Sequence, residues 1–342
     1  MKKVNWGILG LGEIAQNFAK AFSDAENAKL LASSSKNSDK LRYFEKNFEI
    51  EKKFLFNNYD DLISCKDVDI IYIALPNSLH YCWIKKCIEN NKNILVEKPA
   101  TLNFEEIKDI NRELDKKKLF FGEAFMYRYH PQIDVALKII KNEEIGKLIS
   151  MESNFGINLL TKKKFFFFDK KKKIDPHNRL FNKKLGGGCI LDLGCYPSSF
   201  SLLVSSLINQ TTEQNLQVSN VIKEIGETNV DIHSEAKLSN KNGFYSIIKA
   251  SFKKNLGNKS EIVGEKGKLI INNTWSGSDS ITKITDNNYK SINVENIKNI
   301  YSYQIEKISE TLLNDIFQPQ YPGMSLDETL LNMKIIDEWA NV

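Results

Sequence analysis

Gly10, Gly12 and Ala15 stand in the run Gly7-Ile8-Leu9-Gly10-Leu11-Gly12-Glu13-Ile14-Ala15, a G-x-G-x-x-A spacing. Between a strand and a helix, such a run holds the pyrophosphate of a dinucleotide. Gly10 makes the tight turn, Gly12 has no Cβ to keep a phosphate off the backbone, and Ala15 lets helix and strand pack closely. The first N–H groups of the helix, from Glu13, Ile14 and Ala15, offer phosphates the positive end of the helix dipole. Nucleotide choice then depends on the end of the second strand, which reads Leu31-Ala32-Ser33-Ser34-Ser35-Lys36-Asn37, with no carboxylate before Asp39. Hydroxyls with a lysine, Ser35 and Lys36, suit the 2′-phosphate of NADP better than the bare ribose hydroxyl of NAD. NADP is the expectation and NAD the alternative.

Three further segments follow strands of the same region. Leu75-Pro76-Asn77-Ser78-Leu79-His80 follows an apolar run, Glu97-Lys98-Pro99 the next, and Glu123-Ala124-Phe125-Met126-Tyr127-Arg128-Tyr129-His130-Pro131 the last. Open α/β sheets bind ligands beyond these carboxyl ends. A lysine such as Lys98 beside a cationic nicotinamide has its pKa pushed down by like charge and burial. Further on, Leu185-Gly186-Gly187-Gly188-Cys189-Ile190-Leu191-Asp192-Leu193-Gly194-Cys195-Tyr196-Pro197 sets Asp192 and Tyr196 one helical turn apart, on one face. The triple glycine lets backbone come close to something. A phenol and a carboxylate facing a lysine make a proton-transfer group, provided the lysine lowers the phenol's pKa from about 10. Taken singly, each segment also has a plain structural reading. Pro99 could start a helix, His80 could bond the backbone at a helix start, and Tyr196 could be a buried core residue.

The elements that must position these groups are legible as alternating patterns. Strands are expected at Val4 to Leu9, Lys29 to Ser33, Val68 to Ala74, Asn93 to Val96 and Leu119 to Gly122. Helices between them are expected at Glu13 to Phe22, Asp39 to Asn47, Leu79 to Glu89 and Phe104 to Lys117. This alternation predicts an α/β N-terminal Rossmann domain, a doubly wound parallel sheet, over residues 1–125. After a helix at Pro131 to Lys141 the pattern changes. Lys147 to Phe155, Gly243 to Phe252, Lys259 to Val263 and Lys268 to Asn272 read as strands of a sheet with one solvated face. With helices at Pro197 to Ile208, Ser302 to Phe317 and Ser325 to Ala340, residues 126–342 read as an α+β domain with a mostly antiparallel open sheet. Ser325 and Glu328 have capping-box spacing.

Composition narrows the function classes. A net charge of +5 on 48 basic and 43 acidic residues, mixed along the chain, reads as a solvated surface and not as a nucleic-acid footprint. No apolar run is expected to approach the ~20 residues that span a bilayer. The basic-then-apolar start MKKVNWGILG runs into glycines without a cleavage site, so it reads as a first strand. Cys65, Cys82, Cys87, Cys189 and Cys195 form no C-x-x-C pair, and the histidines show no H-x-x-x-H spacing. Reduced thiols, a cytoplasmic location and no metal site are expected. The Lys/Phe-rich patch at residues 162–173 reads as a basic loop with an aromatic plug.

In order and spacing, the G-x-G-x-x-A start, Pro76-Asn77-x-x-His80, Glu97-Lys98-Pro99 and Gly186-Gly187-Gly188-x-x-x-Asp192-x-Gly194-x-Tyr196 resemble the Gfo/Idh/MocA oxidoreductases. Glu123 to Pro131, Leu191 to Pro197 and the ending from Met324 resemble the branch of dihydrodiol dehydrogenases and NADP-dependent D-xylose 1-dehydrogenases. The resemblance implies hydride transfer between a nicotinamide and a hydroxyl-bearing carbon of a sugar, sugar derivative or cyclic diol. It implies Lys98 as catalytic lysine, Tyr196 as general acid/base and Asp192 as the group that orients the site. Arg128, with Lys98, Asp192 and Tyr196, is expected to touch substrate, while Leu75, Pro76, Asn77, His80 and Glu97 line the cofactor cleft. A homodimer or homotetramer through the C-terminal sheet is the expected assembly. The alternatives are a catalytically idle NADP(H)-binding sensor or partner-binding protein, or a redox-neutral or imine or biliverdin-type reductase of the same fold.

Overall fold

A computed structural model describes residues 2–164, 168–208, 215–286 and 288–342. Strands β1 (Val4–Leu9), β2 (Ala28–Ser34), β3 (Leu55–Phe56), β4 (Ile70–Ile73), β5 (Asn93–Val96) and β6 (Phe121–Glu123) form a parallel sheet in the order β3-β2-β1-β4-β5-β6. Helices α1 (Glu13–Lys20), α2 (Ser38–Phe48), α3 (Tyr59–Ser64), α4 (Asn77–Glu89) and α5 (Phe104–Leu114) connect them. Every residue of β4 is buried, as a strand with both faces covered requires. The order reverses between β1 and β4, which makes that boundary the topological switch point where such sheets bind ligands. Short β3 and α3 have no clear sequence period and were not expected.

The chain continues through α6 (Pro131–Lys141), β7 (Leu148–Gly156), β8 (Thr161–Lys164), β9 (Phe168–Lys171) and α7 (Cys195–Ser205). Then follow β10 (Leu216–Ile225), β11 (Asp231–Asn240), β12 (Tyr245–Ser251), β13 (Ser260–Gly264), β14 (Gly267–Ile271), β15 (Ser280–Thr285) and β16 (Asn288–Asn293). Eight of these strands form one sheet, β10-β11-β12-β7-β13-β14-β15-β16, antiparallel except where β7 runs parallel to β12. On β11, Ile232, Ser234, Ala236 and Leu238 are buried while Glu235 and Lys237 between them are not, the alternation of a sheet covered on one face. The covering element is α7, whose residues are all buried and whose Ser201 hydroxyl meets that of Ser246 at 2.6 Å. By length and composition alone, the stretch Lys183–Ser205 could cross a membrane, which amends the expectation of no such run, but 89% of its most apolar window is buried. It is the core helix of this sheet. The Lys-rich flanks of the patch at residues 162–173 pair as β8 and β9; residues 165–167 of its aromatic centre lie outside the described residues.

Two helices close the chain, α8 (Ile300–Leu313) and α9 (Leu326–Asn341). Two units result, Met1–His130 with Ile297–Thr329, and Pro131–Asn296 with Leu330–Val342. The first unit thus takes in a late segment that a single boundary at residues 125/126 leaves out. The reason is α8. Its Ile305 and Ile308 are buried, its Ser309 hydroxyl accepts the Trp6 indole N–H at 3.0 Å, and its Ser302 hydroxyl donates to Ala21 O at 2.9 Å. The capping box forms as expected, with Ser325 N–H on Glu328 Oε2 at 3.1 Å and Glu328 N–H on Ser325 Oγ at 3.2 Å.

Candidate active site

In the first unit, the turn from β1 into α1 is shaped by its two glycines. Gly10 has φ +93°, and a Cβ there would lie 2.6 Å from Leu75 Cδ2 and 2.8 Å from Ala74 O. The turn therefore packs directly on the end of β4. A Cβ on Gly12 would meet nothing within 4 Å, and α1 starts there without a side-chain cap. Open space in front of uncapped helix N–H groups fits a pyrophosphate. Asn77 adds to the fit: it is buried in the first turn of α4, and its Nδ2 has no partner among the described residues. Beyond β2, the Ser35 hydroxyl accepts Asn37 N–H at 3.2 Å, which leaves its own proton to donate, and exposed Lys36 lies over the Tyr59 ring at 5.9 Å. Asp39, the nearest carboxylate in sequence, is paired with Arg42.

The segment after β5 is braced on several sides. Glu97 is buried; it accepts the Tyr72 hydroxyl at Oε1 and Lys98 N–H at Oε2, the latter at 3.3 Å. Ala100 N–H donates to Glu123 Oε1 at 3.0 Å. His80 is wholly buried, with Nδ1 2.9 Å from Pro99 O and Nε2 2.9 Å from Leu75 O. The expectation that His80 lines the cofactor cleft is therefore corrected. Both ring nitrogens lie 2.9 Å from backbone carbonyl oxygens, one after β4 and one after β5, so the imidazole sits between the two loops. Glu97 likewise works beneath the loop. Lys98, between them, is only partly buried.

Arg128 is corrected too. It is completely buried in the first unit, with Nη1 3.0 Å from Glu328 Oε1 and 3.3 Å from Pro322 O. Burial works against its charge, but Glu328 and Tyr127 more than offset this and hold its pKa above the ordinary value. A guanidinium so enclosed is a structural cross-link and does not reach a substrate.

In the second unit, Asp192 lies in a π turn, Ile190–Gly194, that runs into α7, and Tyr196 lies in the first turn of α7. Single π turns are frequent at functional sites. The run is helical throughout, so the one-turn separation read from the sequence holds. What the triple glycine approaches is this chain's own structure. Gly188 has φ +121° and faces Asp231, whose Oδ2 a Cβ would meet at 2.3 Å, and Asp231 Oδ1 accepts Ile190 N–H at 2.6 Å. Asp231 thus anchors the head of the helix that carries Asp192 and Tyr196. Arg179 Nη1 donates to Asp192 Oδ1 at 3.0 Å. The Tyr196 ring packs edge-on against Phe155 at 5.2 Å and beside Trp275 at 5.5 Å. Sequence reasoning missed Arg179, Asp231 and Trp275, because each acts through a neighbour distant in sequence or embedded in a Lys/Asn-rich run.

Two family models match this chain: "Oxidoreductase family, NAD-binding Rossmann fold" over residues 4–125, and "GFO/IDH/MocA C-terminal domain" over residues 133–270. The chain belongs to the Gfo/Idh/MocA family. Among its Gfo/Idh/MocA-like relatives, the trans-1,2-dihydrobenzene-1,2-diol dehydrogenase of Xenopus tropicalis is 26% identical over 97% of this chain and 96% of its own length. A D-xylose 1-dehydrogenase (NADP(+)) of Haloferax volcanii is 30% identical over 43% of this chain and 41% of its own. Among solved structures, the aldose-aldose oxidoreductase of Caulobacter crescentus, complexed with glycerol, superposes with a TM-score of 0.84 at 21% identity, covering 99% of this chain and 96% of that one.

Proposed function

We propose that this Gfo/Idh/MocA protein is an NADP-dependent dehydrogenase or reductase acting at a hydroxyl-bearing carbon of a sugar, sugar derivative or cyclic diol. The observation that carries the proposal is the open, uncapped start of α1 at Gly12, in a chain that also carries Lys98 just beyond β5 and Asp192 and Tyr196 at the head of α7. Bound NADP would supply the hydride acceptor, held by α1's first N–H groups, Ser35, Lys36 and Asn77. Tyr196 withdraws the substrate's hydroxyl proton, because hydride leaves carbon only as that proton goes. Lys98 supplies positive charge just beyond β5, and Asp192, fixed by Arg179, orients the hydroxyl. Relatives that act on a diol and on xylose support this substrate class.

The absence of a carboxylate at the end of β2 favours NADP over NAD. The five free thiols are consistent with a reducing, cytoplasmic setting. The uncovered face of the eight-stranded sheet carries a hollow of about 300 Å³ lined by both charged and apolar side chains, among them Glu152, Tyr245, Ile247, Lys259, Glu261 and Val263, and we assign this face to a second copy of the chain. The test is a panel of aldoses, inositols, nucleotide sugars and diols, assayed by nicotinamide absorbance with NADP and with NAD. Turnover of none of them, with NADP bound, overturns the proposal.

A further inference from the structure

Trp275 stands in the loop between β14 and β15, far from Tyr196 in sequence, yet the two rings lie 5.5 Å apart, centroid to centroid, at 54°. We propose that Trp275 is a positioning residue for Tyr196: its indole, fixed to the strand that carries Phe155, holds the phenol ring in the orientation from which it takes the substrate's proton. This inference rests on Tyr196 being the general base.

All the groups concerned belong to the second unit. Phe155 of β7 meets the Tyr196 ring edge-on at 5.2 Å, and Trp275 packs obliquely beside it. The Phe155 and Trp275 rings also meet each other at 6.1 Å, and Phe200, one turn along α7 from Tyr196, packs edge-on against the indole at 6.1 Å. Trp275 is itself pinned. It is almost wholly buried, and its indole N–H donates to Asn154 O, next to Phe155, at 3.0 Å. The preceding Thr274 is fully buried; its N–H donates to Asn258 O at 2.8 Å and its hydroxyl to that of Ser260 on β13 at 2.9 Å. The Ser260 hydroxyl lies 2.7 Å from that of Ser153 on β7. From α6, the buried Gln132 amide donates to Asn273 O at 3.2 Å and to Thr274 O at 2.9 Å. Buried polar groups cost free energy unless they are paired, and here their pairing secures the place of one indole. An apolar side chain would fill the same space, but the N–H bond also fixes the direction of the ring. A tyrosine ring pivots about its side-chain bonds, and flanking rings on two sides restrict that freedom. Orientation matters to a proton acceptor, because a misplacement of about 1 Å costs on the order of a hundredfold in rate.

The test uses the full-length chain and has two arms. In the first, which needs no substrate, every tyrosine is replaced by meta-fluorotyrosine, and the Tyr196 resonance in the fluorine NMR spectrum is identified as the one lost in Tyr196→Phe. Trp275→Leu should shift and broaden that resonance, because the neighbouring ring is gone and the phenol is released. Trp275→Phe, which keeps a ring but loses the bond to Asn154 O, should move it less. In the second arm, turnover on the best panel substrate is measured in a double-mutant cycle. Trp275→Leu should lower kcat by about thirtyfold with NADP affinity unchanged, and Trp275→Phe should recover part of that loss. In a Tyr196→Phe background, Trp275→Leu should lower kcat no further, because the two residues act as one unit. An indole that only fills the core would cost the same in both backgrounds. Equal losses in the two backgrounds overturn the inference, as does an unmoved Tyr196 resonance in Trp275→Leu. If Trp275→Leu does not fold, Trp275→Phe is judged by the same two results. Near-normal turnover in Tyr196→Phe defeats the reading of Tyr196 as the base, whereas full turnover in Trp275→Leu beside a slow Tyr196→Phe defeats only the role of Trp275.

Discussion

Arg179 Nη1 donates to Asp192 Oδ1 at 3.0 Å, from a side chain 48% exposed to one that is 10% exposed. The carboxylate is thus aimed by a guanidinium that is itself half in solvent. Arg179→Gln should lower kcat/KM about tenfold, mainly through KM, since a charge-assisted bond is worth about 1.5–3 kcal/mol before screening. Loss of stability should stay near 1 kcal/mol, because the exposed guanidinium is screened. Arg179→Lys should recover part of the activity. Steady-state kinetics on the best panel substrate, with thermal melts alongside, decide this; an unchanged kcat/KM in Arg179→Gln removes Asp192 from the site.

The two glycines of the first turn should separate cofactor binding from folding. Gly12→Val places its side chain in open space, so the melting temperature should hold while NADP affinity falls by more than about a hundredfold, the phosphates being displaced from the backbone. Gly10→Val should instead destabilise the fold by roughly 2 kcal/mol or more, since φ is +93° and Ala74 O lies 2.8 Å from the new Cβ. Calorimetric titration and melting of both variants check the contrast. Unchanged NADP affinity in Gly12→Val contradicts the nucleotide site.

Lys36 bears on nucleotide choice alone. Lys36→Ala should weaken NADP about tenfold and leave NAD unaffected, the loss of one charge-assisted contact. Dissociation constants for both nucleotides measure it, and a wild type that prefers NAD contradicts the assignment of Ser35 and Lys36.

Glu123 also ties stability to pH. Its folded-state pKa, about 7, lies above the ordinary 4.5, chiefly because of burial. Between these values the unfolded chain has released the proton and the folded chain keeps it, so the contribution of Glu123 is fully present below about pH 4.5 and falls as pH rises through about 7. Glu123→Gln lacks this dependence. Relative to wild type, it should gain about 3 kcal/mol between pH 4 and pH 8, at about 1.4 kcal/mol per unit. Denaturant titrations at the two pH values give the difference; parallel curves contradict a raised pKa.

Much of this was legible because the signals are local. The Gly10-to-Ala15 spacing, the apolar run of β4 and the Ser325–Glu328 box each lie within a dozen residues, and each formed as read. Elements with weak local patterning were missed. β10 and β11 carry Ser, Asn and Lys, and on β11 even the buried face includes Ser234, so the apolar alternation is diluted. The role of Arg128 was misread because a basic residue beside a strand end looks the same whether it faces substrate or a carboxylate two hundred residues on. For His80, the structural reading kept beside the functional one is the one the structure favours. Sequence spacing carries no information on which carbonyls surround a ring.

The central claim is that Tyr196 takes the hydroxyl proton during hydride transfer to bound NADP. The most direct measurement is turnover of wild type and Tyr196→Phe, by nicotinamide absorbance on the best panel substrate, with NADP affinity determined in parallel. Loss of the phenol should leave affinity intact and slow turnover by about 10²–10⁴, the usual span for general acid–base catalysis. Near-normal turnover in Tyr196→Phe contradicts the account and leaves Lys98 as the base, since His80 is wholly buried with each ring nitrogen 2.9 Å from a backbone carbonyl oxygen.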